Sequence, residues 1–502
     1  MKRILLTLIL SAGILAQSFG QYVDQALLFS QQNFGSTARS KAMGNAVGAI
    51  GGDFSTLSIN PAGLAIYLRP ELSTTLNVLG MNNVNSEYQG QKSSARNTSM
   101  NFTNLGYVFT NPLQEENTGL ISINFGVGFN KLANFNQSIS VSKNGSPHSR
   151  MDLFADNTNG IMSSSLYDEN NPYDNGSIPW ESKLAWENYL IDVSNPNISG
   201  VGNQYQSILY SDELVNQNLT VTKEGFLNEY VFSSAFNINH KLYLGATLGM
   251  QDLYYNEVSN YSEGGAFGRF DYSNSASTRG MGYNLKIGAI YKPSNSLRLG
   301  FALHTPTYFN FKENYSAVMS SNLTGVSADA NGGHKAESPL GDYGYKMNTP
   351  TRLIGSIAYQ FAKKGMISLD YENVSYNKIE YMSGRDGYAF SSENTDIQQT
   401  YNSVKNIRIG GEYKPADSIY LRAGYELFGN PFVSRSTDAL PNNKFSYHTI
   451  NAGIGYRIEN ISIDVSYSLA QKTQYNFIYP SIDPVKYQNN RSELMVTLGI
   501  KL

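Results

Sequence analysis

Cysteine is absent from this chain, tryptophan is nearly absent, and charge is scarce: 0 Cys, 2 Trp and 15% charged residues in 502, against about 25% charge in an ordinary soluble domain. Without cysteine there are no disulfides, no thiol nucleophile, no Cys-ligated metal and no lipid anchor on a cysteine. A formal net charge of -3, with neither a basic stretch nor an acidic tail, provides no electrostatic footprint for nucleic acid. The five histidines, His148, His240, His304, His334 and His448, are scattered. None falls in an H-x-H or HExxH arrangement and no GxSxG elbow occurs, so no catalytic, cofactor-binding or metal-binding residues are expected. "GNAVGAIGG" follows no strand and lacks G-x-G-x-x-G spacing, which removes nucleotide binding. Beyond the first twenty residues no apolar run reaches the roughly 18 residues a spanning helix needs.

What is present is polarity without charge, from Asn, Ser, Thr, Gln and Gly, together with 36 Tyr. Residues 1–20, MKRILLTLILSAGILAQSFG, place Lys2 and Arg3 before a short apolar run and small residues, the pattern of a secretory signal. The mature chain is therefore expected to be exported.

Its second half alternates with period two. RSELMVTLGIKL puts Leu494, Val496, Leu498, Ile500 and Leu502 on one face, and ISIDVSYSL does the same with Ile461, Ile463, Val465, Tyr467 and Leu469. Candidate strands fall near 70–80, 98–110, 118–142, 224–239, 241–258, 278–292, 296–317, 346–361, 365–382, 398–414, 418–430, 445–458, 460–479 and 492–502, fourteen in all. A soluble sandwich would alternate too, but connection length separates the two folds. Tight links such as "NHK", "AKKG" and "KPADS" join even strands to odd ones, and longer polar segments join odd to even, as in outer-membrane barrels. With the apolar faces toward lipid, Arg422, Glu426, Asp464 and Lys501 turn inward. The opposite register would put basic groups into hydrocarbon at roughly 2–4 kcal/mol each near the midplane. Tyr291, Tyr359, Tyr413 and Tyr456, near strand ends, suit an interfacial girdle. The expected fold is all-β: a 14-stranded antiparallel transmembrane β-barrel over residues 70–502.

Such a barrel encloses a lumen wider than side chains alone can fill. Residues 21–69 precede the first strand, lack strand alternation and are rich in small residues, which suits an N-terminal plug inside the lumen. In "GGDFSTLSINPAGLAIYLRPELS", Pro61 stops any hydrogen-bonded element and Asn60 closes a local turn, so Asn60, Pro61 and Ala62 fix a chain reversal. Phe34, Phe54, Leu57, Ile59 and Leu64 offer apolar pocket walls beside it.

At these residues the chain resembles the FadL/TodX (OmpP1) family of outer-membrane transporters for long-chain fatty acids and other hydrophobic molecules. The resemblance rests on "NPA" at 60–62, "RP" at 69–70 before the first strand, the hatch-like "ARSKAMGNAVGAIGGDFSTLSINPAG", and "LRLGFALHTPTYF" at 297–309. Leu502 departs from the Phe that commonly ends barrels. The resemblance implies passive uptake with no cofactor and no enzyme activity: capture outside, a pocket against the hatch, and lateral exit beside a kinked third strand, for which Gly126 and Gly128 are the candidate bend. The largest insert, 143–223, carries "IPWESKLAWENYL", and Trp180, Leu184, Trp186, Tyr189 and Leu190 are candidates for external ligand capture. The expected partners are outer-membrane lipid and a hydrophobic small molecule, with no nucleic acid and with the barrel as a monomer. A docking or shuttle role in protein secretion, using the long loops to bind protein, is the alternative within the same fold, and an outer-membrane hydrolase is a third reading.

Overall fold

The computed structural model describes residues 16–113, 119–166, 173, 178–195, 202–210, 212–325, 333–361, 364–384, 387–433, 445–480 and 482–502. Fourteen antiparallel strands follow one another around a closed wall. They are β1 (Glu71–Tyr88), β2 (Gln91–Pro112), β3 (Leu120–Asn134 continued by Gln137–Ser146), β4 (Val215–Ile238), β5 (Leu242–Gly265), β6 (Gly268–Tyr291) and β7 (Leu297–His304 continued by Tyr308–Leu323). Next come β8 (Gly341–Asn348 continued by Arg352–Phe361, with a short outer piece at His334–Glu337), β9 (Gly365–Ser375 and Glu380–Met382), β10 (Ser403–Ala416), β11 (Ile419–Phe428), β12 (Ser446–Ile458), β13 (Ile461–Asn476) and β14 (Val485–Lys501). The ring closes where β1 pairs with β14, from Glu71↔Lys501 to Glu87↔Lys486. No described helix is long and apolar enough to cross a membrane.

The alternation sorts the side chains as the sequence requires. Phe232, Leu248, Ile287, Phe301, Ile357, Ile367, Ile409, Leu421 and Ile454 are exposed on the successive strands β4 to β12 and form an apolar belt. Arg408, Arg422, Glu426 and Asp464 are buried in the lumen, and Lys501 is half-buried. Tyr291, Tyr359, Tyr413 and Tyr456 point outward beside the short-turn rim, where an amphipathic ring meets the headgroups.

Two connections expected to be long are not loops. β1 passes to β2 through Gln89 and Gly90 alone, both at positive φ (44° and 81°), the geometry that matches the twist of a two-residue hairpin. Only Ala266 and Phe267 separate β5 from β6. The Asn- and Ser-rich stretches flanking these turns extend the strands as tall hairpins, because polar alternation outside the hydrocarbon is still compatible with a ladder. β4, β5 and β6 have 24 residues each, where about 9–11 tilted residues span a membrane, while β11 has 10. The outer rim is thus high over β4–β6 and low over β11. β10 begins at Ser403 rather than near 398, because residues 391–400 form a helix. Thr-Pro breaks interrupt β7 at 305–307 and β8 at 349–351. The two breaks are tied together: Thr307 N–H donates to Thr349 Oγ1 (2.8 Å) and Thr349 N–H to the Thr307 carbonyl (3.1 Å).

The N-terminal segment fills the bore. It comprises α1 (Ala16–Ser30), α2 (Ala38–Ala42) and two 3₁₀ turns, Phe54–Ser58 and Pro61–Ile66. Thr37, Asp53 and Asn60 cap α2 and the two turns in that order, each side chain accepting from a backbone N–H. Such caps let very short elements persist where no long helix would fit. α1 runs without a break across the boundary expected after residue 20, and residues 1–15 of the expected signal lie outside the described residues.

If the belt faces hydrocarbon, Ile454→Arg, in the middle of the outward row on β12, should lower barrel stability by about 2–4 kcal/mol, and Ile458→Arg at the rim by about 0–1 kcal/mol. Urea unfolding in lipid vesicles measures both.

Candidate functional site

The plug begins its packing from the Gly-Gly-Asp turn. Gly51 and Gly52 adopt positive φ (68° and 64°), and the Gly52 N–H donates to the Gly63 carbonyl (3.0 Å). Asp53 then accepts from the Ser55 N–H (2.9 Å) and the Thr37 hydroxyl (2.7 Å), joining the two ends of the segment. Asn60, extended as a residue before proline must be, uses both ends of its amide. Its oxygen accepts from the Ala62 N–H (3.2 Å), and its nitrogen donates to the Gly48 carbonyl (2.7 Å) in the plug and the Ala289 carbonyl (3.2 Å) in the wall. Asn60, Pro61 and Ala62 therefore form a reversal riveted to β6. A Cβ on Gly288 would collide with the Asn60 amide and one on Gly245 with the Pro61 backbone, so wall glycines set the close approach.

Charged residues on the inner wall hold the other face of the plug. Arg39 donates to the Gly52 carbonyl (2.7 Å) and pairs with Glu412 (3.3 Å), and Lys41 lies 3.6 Å from Glu426 and 3.9 Å from Glu493. The Asn45 amide donates to Glu426 (3.0 Å), and the Gly48 N–H to Asp370 (3.0 Å). Lys286 bridges Glu229 and the Ser58 carbonyl, and His304 Nε2 meets the Ile59 carbonyl (2.8 Å). Glu372 sits between Arg352 and Arg408, and Arg422 between Glu412 and Asp464 (2.6 Å each). Period-two reading placed Arg422, Glu426 and Asp464 inside but had no means of pairing them with plug residues hundreds of positions away.

The five apolar plug residues separate into two groups. Phe54, Leu57 and Leu64 pack on Val108, Val231, Ala235 and Ile290 of the wall. Phe34 stands edge-on to His304 (6.1 Å), with the Arg408 and Arg352 guanidinium groups 5.2 and 5.9 Å from its ring centre, and Ile59 belongs to the same cluster as Phe34. All five are buried, so they fill space and do not line an open pocket.

The wall departs from a full ladder at β3. β2 and β3 pair from Pro112↔Ser122 to Asn104↔Asn130. Beyond that point the outer piece of β3 pairs with β4 alone. It lies against the buried face of the β1–β2 hairpin, where Val84 and Tyr88 meet Ile139 and Val141, and Asn144 N–H donates to Gln91 Oε1 (2.9 Å). The β2 edge from residue 91 to 103 has no ladder partner there. A register shift at Lys131/Ala133 and the gap at Phe135–Asn136 cause the departure. They are accommodated by Gly225 at φ 138, which exchanges hydrogen bonds with Phe135 and Asn136 (3.0 Å each). The bend is therefore not at Gly126 and Gly128, which pair regularly with Val108 and Gly106. A Cβ at either position would strike Leu57 or Phe54, so both glycines admit the plug.

Over the high rim, the described part of the large insert folds as a cap: α3 (Arg150–Thr158), α4 (Ser163–Leu166), α5 (Trp180–Glu187) and a hairpin, Ile191–Asn195 with Gln204–Ser207. The expected exposed apolar patch is instead largely the cap's own core. Leu184 and Leu190 are buried with Met151 and Phe154, Trp180 packs on Tyr315 (5.0 Å), and Trp186 meets Tyr205 edge-on (5.9 Å). Trp186 and the exposed Tyr189 do border a cavity of about 400 Å³, together with Ile191, Asp192, Tyr210 and Phe267. Arg150 fastens the cap to the hairpins, 4.7 Å from the Tyr272 ring centre and 3.5 Å from Glu181, while its N–H donates to Glu263 (3.0 Å). Burial pushes the Glu263 carboxyl up, against the pull of its hydrogen bonds.

Among the described residues no group of three or more His, Asp or Glu side chains could hold a metal ion. A family model described as outer membrane protein transport protein (OMPP1/FadL/TodX) matches residues 229–494. In three dimensions the chain is similar to the Ralstonia pickettii toluene transporter TbuX, with 14% identity and a TM-score of 0.52 over 94% of this chain and 100% of that one. It is also similar to a Pseudomonas aeruginosa FadL homologue, with 12% identity and a TM-score of 0.56 over 94% of this chain and 99% of the other. At these identities the likeness speaks for the fold. No curated protein matches the chain in sequence.

Gly288→Val should unseat the Asn60 rivet while leaving the belt intact. Planar-bilayer recordings should then show ion conductance well above the unmodified barrel, since an unplugged lumen of this size conducts water and ions.

Proposed function

The chain belongs to the outer membrane protein transport family (OMPP1/FadL/TodX), and from that membership we propose that it carries small hydrophobic compounds passively into the plane of the outer membrane. It is a transport protein of the outer membrane and not an enzyme. The observation that carries the reading is the unpartnered β2 edge. Hydrocarbon does not tolerate unpaired backbone groups, and below the polar top of the hairpin the edge still carries outward-facing Met100 and Phe102, so an opening kept there in the wall beside a sealed bore needs a use. The plug reaches this opening directly: the Thr103 hydroxyl donates to the Ser36 carbonyl (2.8 Å) and the Asn33 N–H to the Leu132 carbonyl (2.7 Å).

In this reading the cap cavity beside Trp186 and Tyr189 captures the compound, with Trp180, Leu184 and Leu190 supporting its wall. The compound passes down the apolar side of the plug, where Phe54, Leu57 and Leu64 give way while Phe34 and Ile59 back the plug from the charged side, and leaves between β2 and β3. Such a route avoids the charged side of the lumen, where a hydrophobic solute would gain nothing. An uncharged solute fits better than a long-chain fatty acid, because Arg352, Arg408, Arg422 and Lys286 already hold carboxylates. At these four cations a fatty carboxylate would have to displace a buried partner, leaving a charge exposed to a poorly solvating lumen.

Uptake into proteoliposomes tests the proposal. The unmodified protein should speed toluene entry over empty vesicles, and Asn101→Trp with Thr103→Trp, which fills the opening, should return it to background with the barrel still folded. Undiminished uptake by the filled variant would exclude the lateral route, and no acceleration by the unmodified protein would exclude transport of this compound.

A further inference from the structure

β3 leaves the wall although its length does not require it. The last β2–β3 rung is Asn104↔Asn130, and at the polar tip Asn144 and Gln91 exchange hydrogen bonds (2.9 and 3.3 Å). From rung to tip β2 runs 13 residues, 104 back to 91, and β3 runs 14, 130 on to 144. A single bulge absorbs one extra residue, so a ladder closed along the whole of β2 is open to this chain. The register shift and gap between Lys131 and Asn136 let β3 bend, but a bend alone does not choose a side.

The side is chosen from beyond β2. Asn82 on β1 and Arg491 on β14 stand directly opposite each other in the pairing that closes the ring. The Asn82 amide donates to the Asn136 carbonyl (3.0 Å), and Arg491 Nη1 donates to the Asn134 carbonyl (3.2 Å). Both acceptors belong to the bend. β2 stands between β1 and β3 in the wall, so bonds this short form only with the bent segment drawn in behind β2. Glu493, on the same face of β14, braces the Arg491 guanidinium (2.7 Å). Farther out, Val84 and Tyr88 continue the contact by packing on Ile139 and Val141.

These two carbonyls are the ones a closed ladder would use. Phe135 spends its N–H on Gly225 of β4 (3.0 Å), and backbone groups alternate sides along a strand, so the carbonyls of Asn134 and Asn136 turn toward the β2 side. Counted on from the last rung, Asn134 lies level with Met100, which β2 turns outward. At that depth a carbonyl needs a donor, and the free β2 edge carries a row of N–H groups. Side-chain donors from β1 and β14 and backbone donors from β2 therefore compete for the same acceptors. The side-chain donors hold them.

We infer that Asn82 and Arg491 are positioning residues for the side opening: they supply donors to the bend of β3 and so keep it from zipping onto β2. The inference rests on the reading of that edge as the exit and names what maintains it. The opening is then a built feature of the wall, kept by two paired side chains on the far side of β2.

The test is the double variant Asn82→Ala with Arg491→Ala, read in two ways. In lipid nanodiscs, the β2 amides between 91 and 103 that turn away from β1 should exchange about tenfold more slowly than in the unmodified protein, since pairing protects them. In proteoliposomes, toluene entry should fall most of the way to that of empty vesicles. Arg491→Lys keeps a donor within reach of the Asn134 carbonyl and should match the unmodified protein in both. Asn82→Ala alone should move both readouts the same way by less, and it serves if the double variant does not insert. Unchanged β2 exchange in a folded variant, faster toluene entry, or an Arg491→Lys protein that behaves as the double variant does would overturn the inference. The exchange readout needs no transport. If the unmodified protein leaves toluene entry at that of empty vesicles while β2 exchange slows as expected, the transport reading fails and the positioning role stands; if it speeds toluene entry and β2 exchange does not change, the reverse holds.

Discussion

Every backbone N–H and C=O in hydrocarbon must find a partner within the protein, because each one left unpaired costs several kcal/mol. That requirement turns a chain with no membrane-spanning helix among its described residues into a closed ring of fourteen strands. It also explains the binary character of the sequence. Outward positions carry Leu, Ile, Phe and Tyr, and inward positions are free to carry Arg and Glu, since the lumen can satisfy what the membrane cannot. Relaxation of the rule along the β2 edge above Asn104 is the structural fact with the most functional weight.

The lumen is not a neutral container. Most ion pairs line the β8–β14 side of the bore and the aliphatic contacts the β2–β6 side, where the Lys286–Glu229 pair stands among them, and the plug is polarised to match. α2 and the turn after it face the charges, and the 3₁₀ turns press Phe54, Leu57 and Leu64 onto the apolar wall. Buried pairs such as Lys286 with Glu229 are weak sources of net stability, but here they locate the plug in one orientation. A solute that follows the apolar side leaves the pairs on β8–β14 undisturbed. The seal and the path can therefore coexist in one bore.

Much of this was legible in period-two alternation. All fourteen strands were located from it, as were the inward charges on β11 and β13, because side-chain direction in a strand is dictated locally. The reversal at Asn60-Pro61-Ala62 was legible for the same reason: proline and asparagine act on their immediate neighbours. The remaining features depend on distant partners. Residues 81–97 look like a loop by hydropathy, yet Asn82 through Ser86 pair residue by residue with Asn97 through Ser93, an outcome decided by the strand opposite. The bend in β3 lies among Lys131, Phe135 and Asn136 instead of at the two glycines. What local inspection could not supply was Gly225 on β4, whose backbone takes up the slack. The cap tryptophans looked like exposed anchors because nothing in the segment reveals that Tyr315 and Tyr205 await them. α1 was not anticipated because nothing in residues 21–30 reveals the rings of Tyr255, Phe311 and Tyr345 that receive its Phe29 and Tyr22.

The central claim is that the wall opens along the β2 edge above Asn104. Residue-resolved amide exchange of the protein in lipid nanodiscs tests it most directly. Along β2, residues 104–112 should be protected on both edges, while alternate amides between 91 and 103, those turned away from β1, should exchange far faster than any other amides at the same depth. Uniform protection along the whole of β2 would mean that β3 closes the ring, and the account of a side opening would be contradicted.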